Sequence, residues 1–407
     1  MPLTEAYIPY GAYWSTPFCK WQGSFATLHP IKFAAETTVR ALAERDIPPE
    51  TFTNLYLGMT VPSKNSFYGA PWLAGMIGAG EITGPAFAQA CATSARVIGS
   101  AAYAAQTEAD EAPAILCLTA DRTSNGPHLL YPNPLAPGAR GDSEDWVWDN
   151  FNFDPLARHG MLQTAENVAR EAGISTAEQH EAVLIRHSQY RQALADGSAF
   201  HKRFMVTPID IKPNKRKPPV ATVTTDEGIF PTTADGLARL KPVAPDGTVT
   251  FGGQTYPADG NAGLVVTTRQ KARQLSRDPG IEIKLIAFAE GRTAKGYMPK
   301  ANAPAIRRVL QRADLSLADI SAIKTHNPFA VNDCFLSREF NIPLEGMNNY
   351  GCSLIWGHPQ GPTGMRLVIE LIEELVLLGG GYGLFTGCAA GDTAAAVVLQ
   401  VSAGNDR

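Results

Sequence analysis

Apolar residues recur at helical spacing over 33–45 (FAAETTVRALAER), which predicts an amphipathic helix with one face turned to a core. Residues 53–59 read as a strand. Residues 84–105 (GPAFAQACATSARVIGSAAYAA) are built largely from Ala, Gly and Ser. From Cys91 onward they suit a closely packed, buried helix. Residues 113–119 (PAILCLT) are a nearly continuous apolar run, the pattern of a strand covered on both faces.

The pattern changes after Asp121. Residues 122–160 are rich in Pro, Gly, Asn and aromatic side chains and predict a long irregular excursion, a kind of segment that is usually functional or disordered. The aromatic cluster DWVWDNFNFD argues for an ordered one. A helix pair is predicted over 163–196, with a helix start at Ser175-Thr176-Ala177-Glu178. Residues 212–219 (KPNKRKPP) are basic and Pro-rich and read as an exposed loop. The last third alternates again: IEIKLIAFAE as strand, APAIRRVLQRA as helix, SAIKTHNP as strand running into loop, MRLVIELIEELVLLG as helix. GYGLFTGCAAGDTAAAVVLQV reads as two strands around a tight turn. This alternation predicts an α/β fold with a buried mixed sheet. A cysteine beside a small-residue stretch in both the first and last thirds hints at duplicated architecture.

Composition narrows the setting. At 407 residues the chain exceeds one ordinary core and predicts two or three domains. With 44% hydrophobic and 18% charged residues, global disorder is excluded. A formal net charge of −4 gives no reason to expect a nucleic-acid partner. Cys19, Cys91, Cys117, Cys334, Cys352 and Cys388 are scattered, without zinc-ribbon spacing, and imply no disulfide framework. The first residues lack a basic segment followed by an apolar one, and no apolar run reaches about 18 residues, so neither a secretory signal nor a membrane span is expected. A soluble, reducing, cytoplasmic setting is the expectation.

Four residues carry candidate chemistry. A thiolate at Cys91, opening a helix, would feel the positive helix end and unpaired backbone N–H groups, both of which make a better nucleophile. The other reading is a buried, inert cysteine. His358, in Gly357-His358-Pro359-Gln360-Gly361-Pro362-Thr363-Gly364, sits on a sharp loop that suits a general base, or it is a turn histidine. Cys388 lies at a turn of small residues between two strands, and His326 at a strand end. Each also fits a structural role.

Taken together, the order and spacing of these segments resemble the thiolases. Cys91 matches that family's nucleophilic cysteine. His326-Asn327-Pro328-Phe329 matches its Asn- or His-Glu-x-Phe motif. Gly357 to Gly364 matches Gly-His-Pro-x-Gly-x-Ser/Thr-Gly, and Cys388 in part matches the final Cys-x-Gly. Similarity extends to Thr16-Pro17-Phe18, to Thr164-Ala165-Glu166-Asn167-Val168-Ala169, to the stretch from Asp226-Glu227 through Leu237, Leu240 and Pro242, and to Gly247–Gly253 continuing to Asp259-Gly260. Departures are Asn327 for the usual acid, Ala390-Gly391-Asp392 for three glycines, Gly351-Cys352 for Gly-Gly, Thr255-Tyr256 for a small Ser-Gly, and Phe230 for an arginine.

The resemblance implies a five-layered α-β-α-β-α fold of two duplicated halves with an inserted loop domain. Its expected boundaries are 1–121 (rejoined by 256–277), 122–255 covering the active site, and 278–407. It implies CoA-dependent thiolytic cleavage of a 3-oxoacyl-CoA through a cysteine acyl-enzyme, with Cys91 as nucleophile, His358 and Cys388 as proton carriers, the enolate oxygen near His358 and a group held by His326, and the N–H groups of Cys91 and Ala390 as an oxyanion site. It implies CoA contacts at Met161, Phe230, Thr255 and Tyr256, coenzyme A as a co-substrate rather than a resident cofactor, no metal, and a homodimer or larger assembly. The signature around His326 and Gln254–Gly260 looks like a divergent branch resembling benzoylsuccinyl-CoA thiolase of anaerobic aromatic degradation, with a bulky acyl chain and a small zinc-ribbon/OB-fold partner subunit. The basic loop then either meets CoA phosphates or an acidic partner, or is merely solvated. Rival expectations are biosynthetic Claisen condensation, a decarboxylating condensing enzyme, which typically lacks the second cysteine, and a non-catalytic acyl-CoA-binding subunit. A papain-like hydrolase is disfavoured by the sequence around Cys91.

Overall fold

The computed structural model describes residues 2–212 and 217–403. Most of the basic loop, residues 213–216, lies outside the described residues.

The strands Asn54–Gly58, Ala114–Arg122 and Ala258–Thr267 form one end of an 11-stranded sheet. Within it, Ala114, Leu116, Leu118 and Val265 pack into one cluster with the helices Pro30–Ala43 and Gly69–Met76. Ile115, Cys117, Leu264 and Val266 point the other way, into the main core with the helix Thr93–Thr107. The period-two alternation of strand side chains thus serves two apolar faces at once, which is why PAILCLT reads as a continuous apolar run.

Ile281–Arg292, Thr393–Ala403, Gly380–Ala389 and Ile320–His326 continue the sheet in that order, joined to the first end through Tyr7–Pro9. Each end has the same internal order. With Tyr7–Pro9 counted as the first strand of the first end, the first strand neighbours the last, then come the third and the second, and the second and third run parallel. Thr93–Thr107 and Gly361–Leu377 lie between the two ends, and Asn302–Ala313 covers the far face of the second. The layers are therefore helix, sheet, helix, sheet, helix. Where the second end turns tightly between Ala389 and Thr393, the first carries a long insertion between Arg122 and Ala258. This insertion includes the hairpin His128–Tyr131/Asp142–Asp145, the short helix Trp148–Asn152 and the helix pair Met161–Ala172 and Thr176–Ala193. Ser175 and Glu178 close a capping box at the start of the second of that pair, as the sequence suggests.

Two predicted helices begin elsewhere, and two further elements were not predicted. The small-residue helix begins at Thr93, so Cys91 sits in the turn just before it. The Thr93 hydroxyl ties that turn by donating to Ala90 O (2.7 Å) and accepting from Gln89 N–H (2.8 Å). The helix predicted to begin at Met365 begins at Gly361, directly after the His358 loop. The strand Ala258–Thr267 and the helix Ala330–Phe340 lack a clear period in the sequence, the helix because both its faces are buried over Ala330–Leu336.

Candidate active site

The two central helices bring the candidate residues together. Cys91 precedes one and His358 precedes the other. Cys91 Sγ lies 3.1 Å from His358 Nε2, and its thiol donates to Gln360 Oε1 at 3.4 Å. Backbone N–H groups of Ala390 and of Cys91 itself face the sulfur and favour the thiolate, while burial pushes the Cys91 thiol up to about 12. Burial also lowers His358 to about 3. The resting pair is therefore a neutral thiol beside a neutral imidazole. His358 is held from behind: Nδ1 lies 2.6 Å from Thr363 Oγ1, and its backbone N–H donates to Tyr256 O (2.8 Å).

The His326 ring lies 4.1 Å from that of His358, centroid to centroid. One ring nitrogen of each lies within 4.8 Å of Cys91 Sγ. A chain of hydrogen bonds holds the His326 ring. Asn327 Nδ2 donates to Asp333 (2.7 Å), so Asn327 Oδ1 is the acceptor, taking Leu354 N–H (3.2 Å) and the Ser353 hydroxyl (3.1 Å). Ser353 Oγ in turn lies 2.7 Å from His326 Nδ1. His326 Nε2 is buried and without a partner among the described residues. Burial and the neighbouring His358 hold His326 well below the usual imidazole range. That unpartnered nitrogen suits a water or a substrate atom, in line with the expected group held by His326.

Cys388 is fully buried at the end of Gly380–Ala389, close enough to feel the Cys91 charge. Burial, then that charge, raises its thiol. Asn332 Nδ2 donates to its sulfur at 3.2 Å. Beneath the site, Asp121 accepts from Thr60 N–H, the Thr60 hydroxyl, Val61 N–H and Gly361 N–H, all at 2.8–2.9 Å. It thereby fixes the loop that carries His358 to the first half of the fold.

A cavity of about 620 Å³ opens onto Cys91 and His358. Trp146, Trp148, Phe151, Phe153, Met161 and Phe329 give it an aromatic, apolar wall, and among the described residues no Lys or Arg lines it. Of the four expected CoA contacts, Met161 and Thr255 line it. Thr255 also donates from Oγ1 to Ser353 O at 2.5 Å. Tyr256 does not line the cavity, because its hydroxyl turns away to Ile355 O (3.1 Å). Phe230 is 69% exposed, outside the cavity, with Lys20 Nζ 5.8 Å from its ring. Gln360 and Thr363 sit inside a motif the sequence shows plainly. Asn332, Ser353 and Asp121 gave no local signal, since their roles depend on partners far along the chain.

Duplicated five-layer architecture is the class to which the fold assigns this protein. The description "Thiolase, N-terminal domain" matches residues 12–270 and "Thiolase, C-terminal domain" residues 281–401. The chain belongs to the thiolase family and is an acyltransferase. It is 28% identical to beta-ketoadipyl-CoA thiolase of Pseudomonas knackmussii over 95% of this chain and 96% of that one. Likeness to acetyl-CoA acetyltransferase of Escherichia coli is the same, 28% over 95% and 96%. The crystal structure of the Bacillus anthracis acetyl-CoA acetyltransferase superposes with a TM-score of 0.88 at 26% identity, covering 98% of this chain and 99% of that one. Human mitochondrial 3-ketoacyl-CoA thiolase in complex with CoA shares the fold, with a TM-score of 0.88 at 24% identity, over 99% and 100% of the two chains.

Proposed function

We propose that this protein cleaves a 3-oxoacyl-CoA with coenzyme A through an acyl-enzyme on Cys91. The observation that carries the reading is the 3.1 Å approach of Cys91 Sγ to a neutral His358 Nε2, with a second thiol, Cys388, beside them. His358 takes the Cys91 proton as the sulfur attacks the 3-oxo carbon. The C2–C3 bond breaks, its electron pair passing to an acyl-CoA enolate, and Cys388 protonates C2. After the shortened acyl-CoA leaves, the Cys388 thiolate takes the proton of an incoming CoA thiol. The CoA sulfur attacks the Cys91 thioester, and the departing Cys91 thiolate recovers its proton from His358. The amides of Cys91 and Ala390 suit the tetrahedral oxyanion. A single donor of this kind typically contributes about 2.7–4 kcal/mol to the barrier. Run backwards, the same steps condense two acyl-CoAs. The second cysteine favours either over decarboxylative condensation.

The acyl chain in this reading is bulky and aryl-substituted, as in a benzoylsuccinyl-CoA, because indole and phenyl faces form much of the cavity wall. Among the described residues no cation lines the cavity, which suits a neutral chain end better than a free carboxylate. A neutral aryl 3-oxoacyl-CoA therefore belongs in the comparison. Residues 122–255 act as the covering unit between 1–121 (with 256–277) and 278–407. The working form in this reading is a cytoplasmic homodimer, with a small zinc-ribbon/OB-fold subunit as a further partner in aromatic degradation. Co-purification and the mass of the native assembly test that part.

Two measurements test the core. Cys91→Ser abolishes acyl-enzyme labelling; a fully active Ser variant refutes the nucleophile. CoA-dependent cleavage is then compared across acetoacetyl-CoA, straight-chain, aryl and benzoylsuccinyl thioesters. Preference for acetoacetyl-CoA refutes the aryl assignment.

A further inference from the structure

The Cys91 thiol has one proton and two acceptors in reach, His358 Nε2 at 3.1 Å and Gln360 Oε1 at 3.4 Å. That raises a problem once the proton moves. With the proton on His358, the amide oxygen of Gln360 would point the negative end of its dipole at a thiolate. The other end of the same amide is idle: Gln360 Nε2 donates to none of the described residues. Gln360 lines the cavity and is 6% exposed. A half-turn about the terminal torsion, which is broad and two-fold for a carboxamide, would give the sulfur an N–H at no cost in broken protein hydrogen bonds.

The backbone is shaped to hold this side chain in place. Gln360 has φ 62° and ψ −105°, a left-handed conformation that side-chain-bearing residues rarely adopt. It is locked there by Pro359 before it and by Gly361, whose N–H is bound by Asp121 and whose carbonyl accepts from the Ser94 hydroxyl. Strain kept by so many contacts, at a residue touching a nucleophile, marks a functional placement.

We propose that Gln360 is a further catalytic residue, its carboxamide holding the Cys91 thiol through Oε1 at rest and turning over to donate Nε2–H to the thiolate. Three N–H donors then meet the sulfur, those of Ala390, Cys91 and Gln360. The proposal rests on Cys91 as nucleophile, and the experiment separates the two.

The rate at which iodoacetamide alkylates Cys91 is followed against pH, with peptide mapping. The other five cysteines are buried, which favours position 91. Gln360→Glu keeps the shape but offers only oxygen. Gln360→Gly suits the positive φ and deletes the amide while leaving the fold relaxed. On the rising limb of that profile, well below the midpoint, the rate at a given pH falls about tenfold in the Gly variant, a tenfold loss of thiolate, and further in the Glu variant. An unchanged rate in folded Gln360→Gly overturns the proposal. Absence of alkylation at position 91 in the unmodified protein instead overturns the nucleophile assignment.

Discussion

Asn332 shows how much one buried amide decides. It stands at the third position of the helix Ala330–Phe340, where Oδ1 accepts Phe329 N–H (3.3 Å) while Nδ2 donates to Cys388 Sγ (3.2 Å). The first bond starts the helix, and the second stabilises a thiolate at the sulfur proposed to move the C2 proton. Asn332→Asp keeps the first and replaces the second with a negative charge. Exchange of acyl-CoA α-protons with deuterated solvent is expected to slow by about 10²-fold or more, the scale of lost general acid–base catalysis. Alkylation of Cys91 should be nearly unaffected. Equal slowing of both would assign Asn332 to the fold alone. His326 is placed in a similar way, since Asn327 and the ring nitrogen Nδ1 share the Ser353 hydroxyl.

The decisive contact between elements is the crossing of the two central helices. Gly361–Leu377 is buried from Gly361 to Leu375, although it carries Arg366, Glu370, Glu373 and Glu374. Those charges are paired: Arg366 with both Asp226 oxygens (2.5 and 2.8 Å) and Glu370 (2.9 Å), and Glu373 with Arg203 (2.5 Å) and the Tyr13 hydroxyl (2.6 Å). Paired ions of this kind fix a geometry more than they add stability. At the crossing, a Cβ on Gly364 would lie 3.0 Å from both Ser94 Cβ and Phe385 Cζ. Gly364→Val should therefore push the helices apart, at about 1–3 kcal/mol for overpacking. Because Cys91 and His358 precede these two helices, the separation should also slow Cys91 alkylation. Urea unfolding and alkylation rate measure the two effects, and a variant unchanged in both would contradict this account of the crossing.

At the scale of the whole molecule, burial of neutral imidazoles couples stability to pH. His201 is held down to about 4 and His358 to about 3 by burial, and His326 is also lowered. All lie below the value of about 6.5 expected in the unfolded chain, so as pH falls the unfolded state binds protons first. The stability these groups contribute is fully present above about pH 6.5 and is lost as pH falls toward their folded values. Around His201 stand Asp226, Arg366 and Lys324, and the rings of Tyr190, Phe200 and Phe204. His201→Leu is expected to flatten the fall in melting temperature between about pH 7 and pH 4.5. An equally steep fall in the variant would show that His201 is not among the groups responsible.

The alternation of elements, the turn between Ala389 and Thr393, the Ser175 cap and the four residues Cys91, His326, His358 and Cys388 were legible in the sequence, because each is written in local period or motif. Periodicity failed for the strand Ala258–Thr267 and for Ala330–Phe340, where burial on every side erases the contrast between faces. It also failed to separate Thr255 and Met161, which line the cavity, from Tyr256 and Phe230, which do not, because side-chain direction depends on neighbours in space. The sequence by itself determined which chemical groups are present and in what order. Only the tertiary structure decided which share protons, since Cys91 and His358 stand 267 positions apart and meet only where two helices from separate halves cross.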